Sequence, residues 1–327
     1  MKRFYCTYFD RNYLVRGLAL VRSLREHTQG DWELFVICMD DDSRRLLERF
    51  ALPNITAVSI EQIERDDPEL AAAKSDRTRV EYLWTTTPAI ILWLMEKHAE
   101  IELLAYLDAD LFFFSSPEPI FDELGDNSVL IHEHRYTPEL KDMEANGKYN
   151  VGLLCFRNDE RGNRALRWWR ERCIESCHLD VKNGKCGDQM YLNDWPERFS
   201  RVHVLENRGA GVAPWNVDQF VLNKIKGRVL VEDVELIFYH FHSLRIVGPE
   251  EFRLAYRFYI RPDVAELIYR PYTEALSTAM RDLQRIEPDF QFNFSKPAPV
   301  EKVWDILFSF HLVSRAIAAV RQAVRQA

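Results

Sequence analysis

Cysteine is scarce, with six in 327 residues, too few for a disulfide scaffold in a chain of this length. Cys6, Cys38 and Cys155 lie within apolar runs and read as small core residues. Cys173, Cys177 and Cys186, with His178 beside them, are separated by three and then eight residues. That spacing matches none of the usual zinc knuckles, so reduced thiols are the expectation. Basic charge is also in deficit: 43 Lys and Arg stand against 51 Asp and Glu, a net charge of −8. Such a balance argues against a surface that coats nucleic acid. Long hydrophobic runs are missing too. Thr85 to Met95, the longest uncharged apolar stretch, falls well short of the roughly 20 residues a membrane-spanning helix needs. Met1-Lys2-Arg3 leads straight into a β-like run and not into a signal-peptide segment, which makes a cytoplasmic location the expectation. There is no internal repeat and no low-complexity tract. What is present is the mixture of a globular protein, 47 % hydrophobic and 29 % charged, with ample material for a core.

Strand and helix patterns alternate through the first half. Phe4–Tyr8, Leu34–Met39, Ile55–Ile60 and Leu103–Leu107 read as strands, and Asn12–His27, Ser43–Phe50 and Thr85–Lys97 as helices. Pro88 is placed in the first turn of the third helix, where its missing N–H costs nothing. This βα rhythm predicts an α/β fold with a mostly parallel sheet covered on both faces. Ligands of such sheets bind beyond the carboxyl ends of the strands. The middle is less regular, with strands expected at Val129–His132, Val151–Phe156, Val202–Leu205, Arg228–Val231 and Leu236–Phe241, and a helix over Glu160–Ser176. After Gly248-Pro249 the pattern turns helical, over Glu251–Ile260, Val264–Leu283 and Val300–Val324. The natural division is a catalytic α/β domain at 1–248 and a helical C-terminal extension at 249–327.

Two D-x-D patterns occur, Asp40-Asp41-Asp42 and Asp108-Ala109-Asp110. The first precedes an amphipathic helix and reads as its cap. The second runs from an apolar strand into Phe112-Phe113-Phe114. Residues at i and i+2 of an extended segment point the same way, so Asp108 and Asp110 can converge on one point. Two such carboxylates repel each other unless a cation lies between them, and oxygen donors favour Mg2+ or Mn2+. The plain alternative is a solvated loop of turn-forming acids.

At this point the chain resembles the GT-A-type nucleotide-sugar glycosyltransferases, family 8 in particular, the glycogenin and lipopolysaccharide glycosyltransferase group. The matching stations keep the family's order across roughly residues 5 to 246. Thr7-Tyr8-Phe9-Asp10-Arg11-Asn12-Tyr13 is similar to the nucleoside-binding strand. Tyr106-Leu107-Asp108-Ala109-Asp110 is similar to the metal motif, and Tyr149-Asn150-Val151-Gly152 to the segment beside the donor sugar. Gly187-Asp188-Gln189 is similar to the Asp-Gln station facing that sugar. Tyr239-His240-Phe241-His242-Ser243 resembles the late segment whose histidine completes the metal shell.

The resemblance implies a retaining transferase that uses Mn2+ or Mg2+ and a nucleoside-diphosphate sugar, a UDP-sugar in the first instance. Asp108, Asp110 and His240 would hold the metal. Thr7, Tyr8, Phe9, Tyr13, Ala109, Asn150, Gly152, Ser243 and Arg245 would bind the donor. Asp188 would face the anomeric carbon and Gln189 the donor hydroxyls. Three departures stand out: Phe9 takes the place of a smaller polar residue, Ser243 replaces the usual glycine, and the family's Lys-Pro-Trp is absent, leaving Arg245 as the candidate diphosphate contact.

Plain readings stand beside these. His242 shares a face with His240 and is the rival ligand, and Asp188 is placed to cap a helix over Gln189–Trp195. His132-Glu133-His134-Arg135 is either an acceptor-recognition element or a polar loop. Trp215 is a candidate stacking platform for a sugar. Two other functions compete: a metal-dependent hydrolase built on His132-x-His134 and His240-x-His242, and a catalytically silent binder of sugar nucleotides. Trp304, Leu307, Phe308 and Leu312 form a stripe in the last helix, with Arg315, Arg321 and Arg325 toward its end. That pattern fits either packing on the domain or contact with the inner face of the membrane, where a lipid-linked acceptor would be found; the acceptor is otherwise a glycan.

Overall fold

A computed structural model of the chain describes residues 2–180, 185–256 and 258–295. The C-terminal helix expected at Val300–Val324 lies outside the described residues. Strands β1 (Arg3–Phe9), β2 (Trp32–Cys38), β3 (Ile55–Ser59) and β4 (Leu103–Leu107) belong to the central sheet, and a short β5 (Leu111–Phe113) leaves it. Strands β6 (Val129–Glu133), β7 (Tyr149–Arg157) and β8 (Val202–Val204) complete it in the order β8–β6–β7–β4–β1–β2–β3. Only β7 runs against its neighbours β4 and β6; the remaining pairs are parallel.

Helices α1 (Leu14–His27), α2 (Asp41–Phe50), α3 (Arg79–Lys97), α4 (Glu160–Glu175) and α5 (Arg270–Ile286) cover this sheet. Alternate residues of one strand serve opposite faces, as the pleat requires. Tyr5, Leu34 and Val36 pack with Leu14, Leu18, Val21 and Leu24 of α1 and with α5. Phe4, Cys6, Phe35 and Ile37 pack with Ile90, Ile91 and Leu94 of α3 and with Trp169 of α4. Each fully buried side chain of this kind contributes about 1.5–3 kcal/mol. All six cysteines are buried with free thiols. No helix of the described residues is long and apolar enough to cross a membrane.

The structure corrects the sequence reading in two places. Helix α3 begins at Arg79, not at Thr85, because Thr78 and Glu81 close a reciprocal capping box at its start. Pro88 is therefore interior. Beside it, the Thr85 and Thr86 hydroxyls donate to the carbonyls of Glu81 and Tyr82, each at 2.8 Å. The second correction concerns 251–260, whose described residues are not helical. After β9 (Phe238–His240), strand β10 (Arg245–Gly248) turns at Pro249 and pairs with β11 (Glu251–Arg253), where Phe252 packs on the core. Helical structure resumes at Pro262–Val264, and Ala265–Tyr269 form a π turn just before Pro271. A proline ring clashes with the carbonyl four residues back, and the wider turn relieves that clash.

Candidate active site

The candidate site forms where β4 ends. The Asp108 N–H donates to the Gly152 carbonyl of β7 at 2.8 Å, and the Leu111 N–H donates back to the Asp108 carbonyl at 3.1 Å. This tight turn swings the chain out of the sheet, and β5 pairs antiparallel with β9, setting Leu111 opposite His240. The Phe241 N–H then donates to the Asp110 carbonyl at 3.0 Å. A two-stranded bridge thus carries a distant imidazole to the carboxylate pair. His240 Nε2 lies 3.2 Å from Asp110 Oδ1 and 3.7 Å from Asp108 Oδ2. These three residues are the one Asp/His group among the described residues that could hold a metal ion. The donor set fits one: two carboxylates suit Mn2+ or Mg2+, and the imidazole tilts the choice toward Mn2+.

Burial and charge compete here. Burial drives both carboxyls upward. At Asp110 the nearby His240 outweighs that and holds the group down to about 2. At Asp108, farther from the imidazole and beside another acid, burial prevails and the group stays above its ordinary range. Burial would depress His240, but the charges of Asp110 and then Asp108 raise it instead. In the same cavity burial pushes Asp188 up to about 7, with the Asp108 charge adding to the effect. The Tyr106 hydroxyl donates to Asp108 Oδ1 at 2.7 Å.

The cavity has a volume of about 630 Å³, a size suited to a small-molecule ligand. Tyr8, Phe9, Tyr13, Asp108, Ala109, Asp110, Asn150, Asp188, Gln189, His240 and His242 all line it. Four residues expected at the donor do not. Thr7 is fully buried in β1. Gly152 lies behind His240, so close that a Cβ there would sit 2.8 Å from its Nδ1. Ser243 takes φ +62°, and its hydroxyl oxygen accepts the Tyr256 N–H at 3.0 Å. Arg245 is on β10 with its guanidinium over the Tyr256 ring at 4.6 Å, and it is not among the residues lining the cavity.

Asp188 makes no side-chain capping bond to the turn after it; its carbonyl accepts the Trp169 indole N–H at 3.0 Å. Gln189 Nε2 donates to the Asn146 carbonyl at 2.5 Å. Trp215 lines the cavity while 5 % exposed, its indole donating to the His134 carbonyl at 2.9 Å. His132 is buried away from the carboxylates, its Nδ1 3.1 Å from the Leu153 carbonyl. His134 reaches the cavity wall and stacks on Tyr136 at 4.7 Å. Burial lowers both rings, His134 to about 3.

Sequence reasoning passed over several cavity residues, Tyr106, Thr87 and Arg79 among them. Tyr106 was open to the same i, i+2 rule that picks out Asp108. Thr87, whose hydroxyl lies 3.3 Å from Tyr8 Oη, had no signal beyond its helix. Arg79, ion-paired with Asp10, is the one Lys or Arg among the described residues lining the cavity, and the capping box beside it was its only marker.

No family model matches the chain. It is similar to two proteins of Bacillus subtilis (strain 168). Uncharacterized protein YfnD is 35 % identical over 294 residues, 89 % of this chain and 94 % of that protein. Uncharacterized protein YfnF is 33 % identical over 300 residues, 89 % of this chain and 97 % of that protein. Among solved structures, the galactosyltransferase LgtC in complex with donor and acceptor sugar analogs superposes with a TM-score of 0.55 at 17 % identity, over 84 % of this chain and 95 % of LgtC. The glycosyltransferase GlyE of Streptococcus pneumoniae TIGR4 gives 0.50 at 13 % identity, over 90 % of this chain and 66 % of GlyE. At such identities the likeness speaks to architecture, which is the GT-A type expected from the sequence. Likeness at a third of positions over nearly their full lengths is different in kind: the chain belongs to the family of YfnD and YfnF.

Proposed function

We propose that the protein is a metal-dependent glycosyltransferase of the family 8 type, moving a sugar from a nucleoside-diphosphate sugar to a glycan or lipid-linked acceptor. The observation that carries this reading is the convergence of one ligand atom each from Asp108, Asp110 and His240 to within 4.8 Å of one another on the wall of a cavity that Asp188 also lines. Its architecture, shared with LgtC and GlyE, supports it. A bound Mn2+ or Mg2+ supplies neutralisation of the charge that develops on a departing diphosphate.

The chain's own groups have complementary tasks. Transfer passes through an oxocarbenium-like sugar, positive at the anomeric carbon. The Asp188 carboxylate, once ionised, offsets that charge, and Gln189 holds donor hydroxyls. Tyr8, Phe9 and Tyr13 supply a partly aromatic wall for the nucleoside, for which a uridine is the first candidate. Arg245 does not line the cavity and Arg79 is ion-paired with Asp10. Among the described residues, neutralisation of the diphosphate therefore falls chiefly to the Asp108–Asp110–His240 site, and activity is expected to require the metal. Retention of configuration completes the reading.

The test is thermal unfolding with a panel of nucleoside diphosphates and sugar nucleotides, with and without Mn2+, because a ligand specific to the folded state raises the midpoint. UDP or a UDP-sugar is expected to stabilise the protein only when Mn2+ is present. Absence of stabilisation by every nucleotide, with metal or without, overturns the reading. Incubation of the stabilising sugar nucleotide with acceptors then separates transfer, which yields a glycosylated product, from hydrolysis, which yields free sugar.

A further inference from the structure

Behind the carboxylate pair runs a file of three buried side chains, His134, Asn150 and His240, which are 3 %, 6 % and 5 % exposed. We propose that His134 and Asn150 are positioning residues that hold His240 in the tautomer protonated on Nδ1, with the Nε2 lone pair aimed at the divalent-cation site. This rests on the metal reading above and assigns two side chains to it that hold no metal themselves.

The direction of each hydrogen bond follows from its ends. The Lys148 carbonyl can only accept, and it lies 3.2 Å from His134 Nδ1, so that nitrogen carries the proton. A neutral ring then has a bare lone pair on Nε2. Asn150 Nδ2 is 3.0 Å away and donates to it. The other half of the amide is fixed independently, because the Gly152 N–H donates to Asn150 Oδ1 at 2.8 Å. The same Oδ1 faces His240 Nδ1 at 3.3 Å and accepts from it. What remains on His240 is Nε2, 3.2 Å from Asp110 Oδ1 and 3.7 Å from Asp108 Oδ2. Three electron-rich atoms thus face one point, and the groups behind them fix which nitrogen is free, as partners of a metal-bound histidine do.

Packing holds the file in register. A Cβ at Gly152 would sit 2.5 Å from Asn150 Oδ1 and 2.8 Å from His240 Nδ1, so only glycine lets the amide and the imidazole meet. Trp215 donates to the His134 carbonyl and presses edge-on against the His240 ring, centroids 5.3 Å apart. One indole therefore braces both ends.

The test is calorimetric titration of Mn2+ into the full chain without nucleotide, joined to long-range 1H–15N spectra of His240 in the Mg2+-loaded protein. His134→Phe and Asn150→Leu are expected to weaken Mn2+ binding about 10- to 100-fold. In His134→Gln the amide oxygen reaches the place of Nε2 and accepts the same bond, so affinity returns to within about three-fold of the parent. The spectra should show the proton of His240 on Nδ1, a readout that needs no variant to fold. Parent-like Mn2+ affinity in His134→Phe overturns the proposal, as does a Gln variant as weak as the Phe one, or a His240 protonated on Nε2. In those cases the metal site itself stands. Failure of the parent protein to bind Mn2+ or Mg2+ removes the metal reading and this inference with it.

Discussion

Two stretches of this molecule carry the same D-x-D pattern, each just past the carboxyl end of a parallel strand, and they are put to opposite uses. After β2, Asp40 accepts the Ser43 N–H at 2.7 Å and caps α2, while its other oxygen accepts the Arg11 N–H at 2.9 Å. Asp42 pairs with Arg11 and Arg45. Every charge there is met by a local helix end or an arginine. After β4 no helix follows at once. The chain crosses to β9, and Asp108 and Asp110 meet an imidazole and a tyrosine hydroxyl in place of arginines. The tripeptide does not decide the outcome; the next element does. A helix absorbs acidic charge at its N-terminus, whereas a bridging strand leaves it facing a cavity.

The sharpest way to break this comparison is to neutralise one acid at each place. Asp110→Asn should lower sugar transfer by about 10²- to 10³-fold and abolish Mn2+ binding while the fold is kept, as read by initial rates, calorimetry and circular dichroism. Next comes the pair of histidines on the bridge. His240→Ala should weaken Mn2+ binding by more than the loss of His134 or Asn150 behind it does, and His242→Ala much less; the reverse ranking of the two histidines would exchange the ligands.

A third test uses pH without metal. Asp188 is raised from 3.8 to about 7, so between those values the folded protein keeps a proton that the unfolded chain has released. Stability should therefore fall as pH rises from about 4 to 7, and Asp188→Asn should flatten that slope, measured by urea unfolding in EDTA. Asp110, held to about 2, acts oppositely: the stability it adds is present above its ordinary carboxyl value and is lost as pH falls toward 2. The smallest effect is expected on the other side of the comparison, where Asp40→Ala should cost about 1 kcal/mol of stability and leave turnover unchanged.

Much of the fold is legible in local pattern. Strand β4 has the bounds its apolar run implies, and Leu14, Leu18, Val21 and Leu24, which a helical period sets on one stripe, are buried in α1. The misreadings have local causes as well. The apolar run of α3 begins after its cap, so weight given to hydrophobicity hides the Thr78–Glu81 start. The alternating character of 251–253 is too brief to outweigh a helical composition, yet pairing with β10 decides it.

The site divides in the same way. Asp108 and Asp110 follow from the strand rule. His240 does not, because its place depends on the long-range pairing of β5 with β9, and only the family resemblance pointed to it. His134 was left evenly balanced by the sequence, since its part is set by contacts with Lys148 and Asn150 that no periodicity encodes. Arg245 shows the converse: adjacency in sequence to His240 does not bring it to the cavity.

The central claim is that Asp108, Asp110 and His240 together hold a divalent cation on which a nucleoside diphosphate can be bound. Crystals grown with Mn2+ and UDP, measured for anomalous scattering at the manganese edge, test it most directly. The account predicts one strong peak within coordination distance of both carboxylates and His240 Nε2, with diphosphate oxygens completing the shell. A manganese peak elsewhere, or UDP bound in the cavity with no metal between it and the two acids, would contradict it.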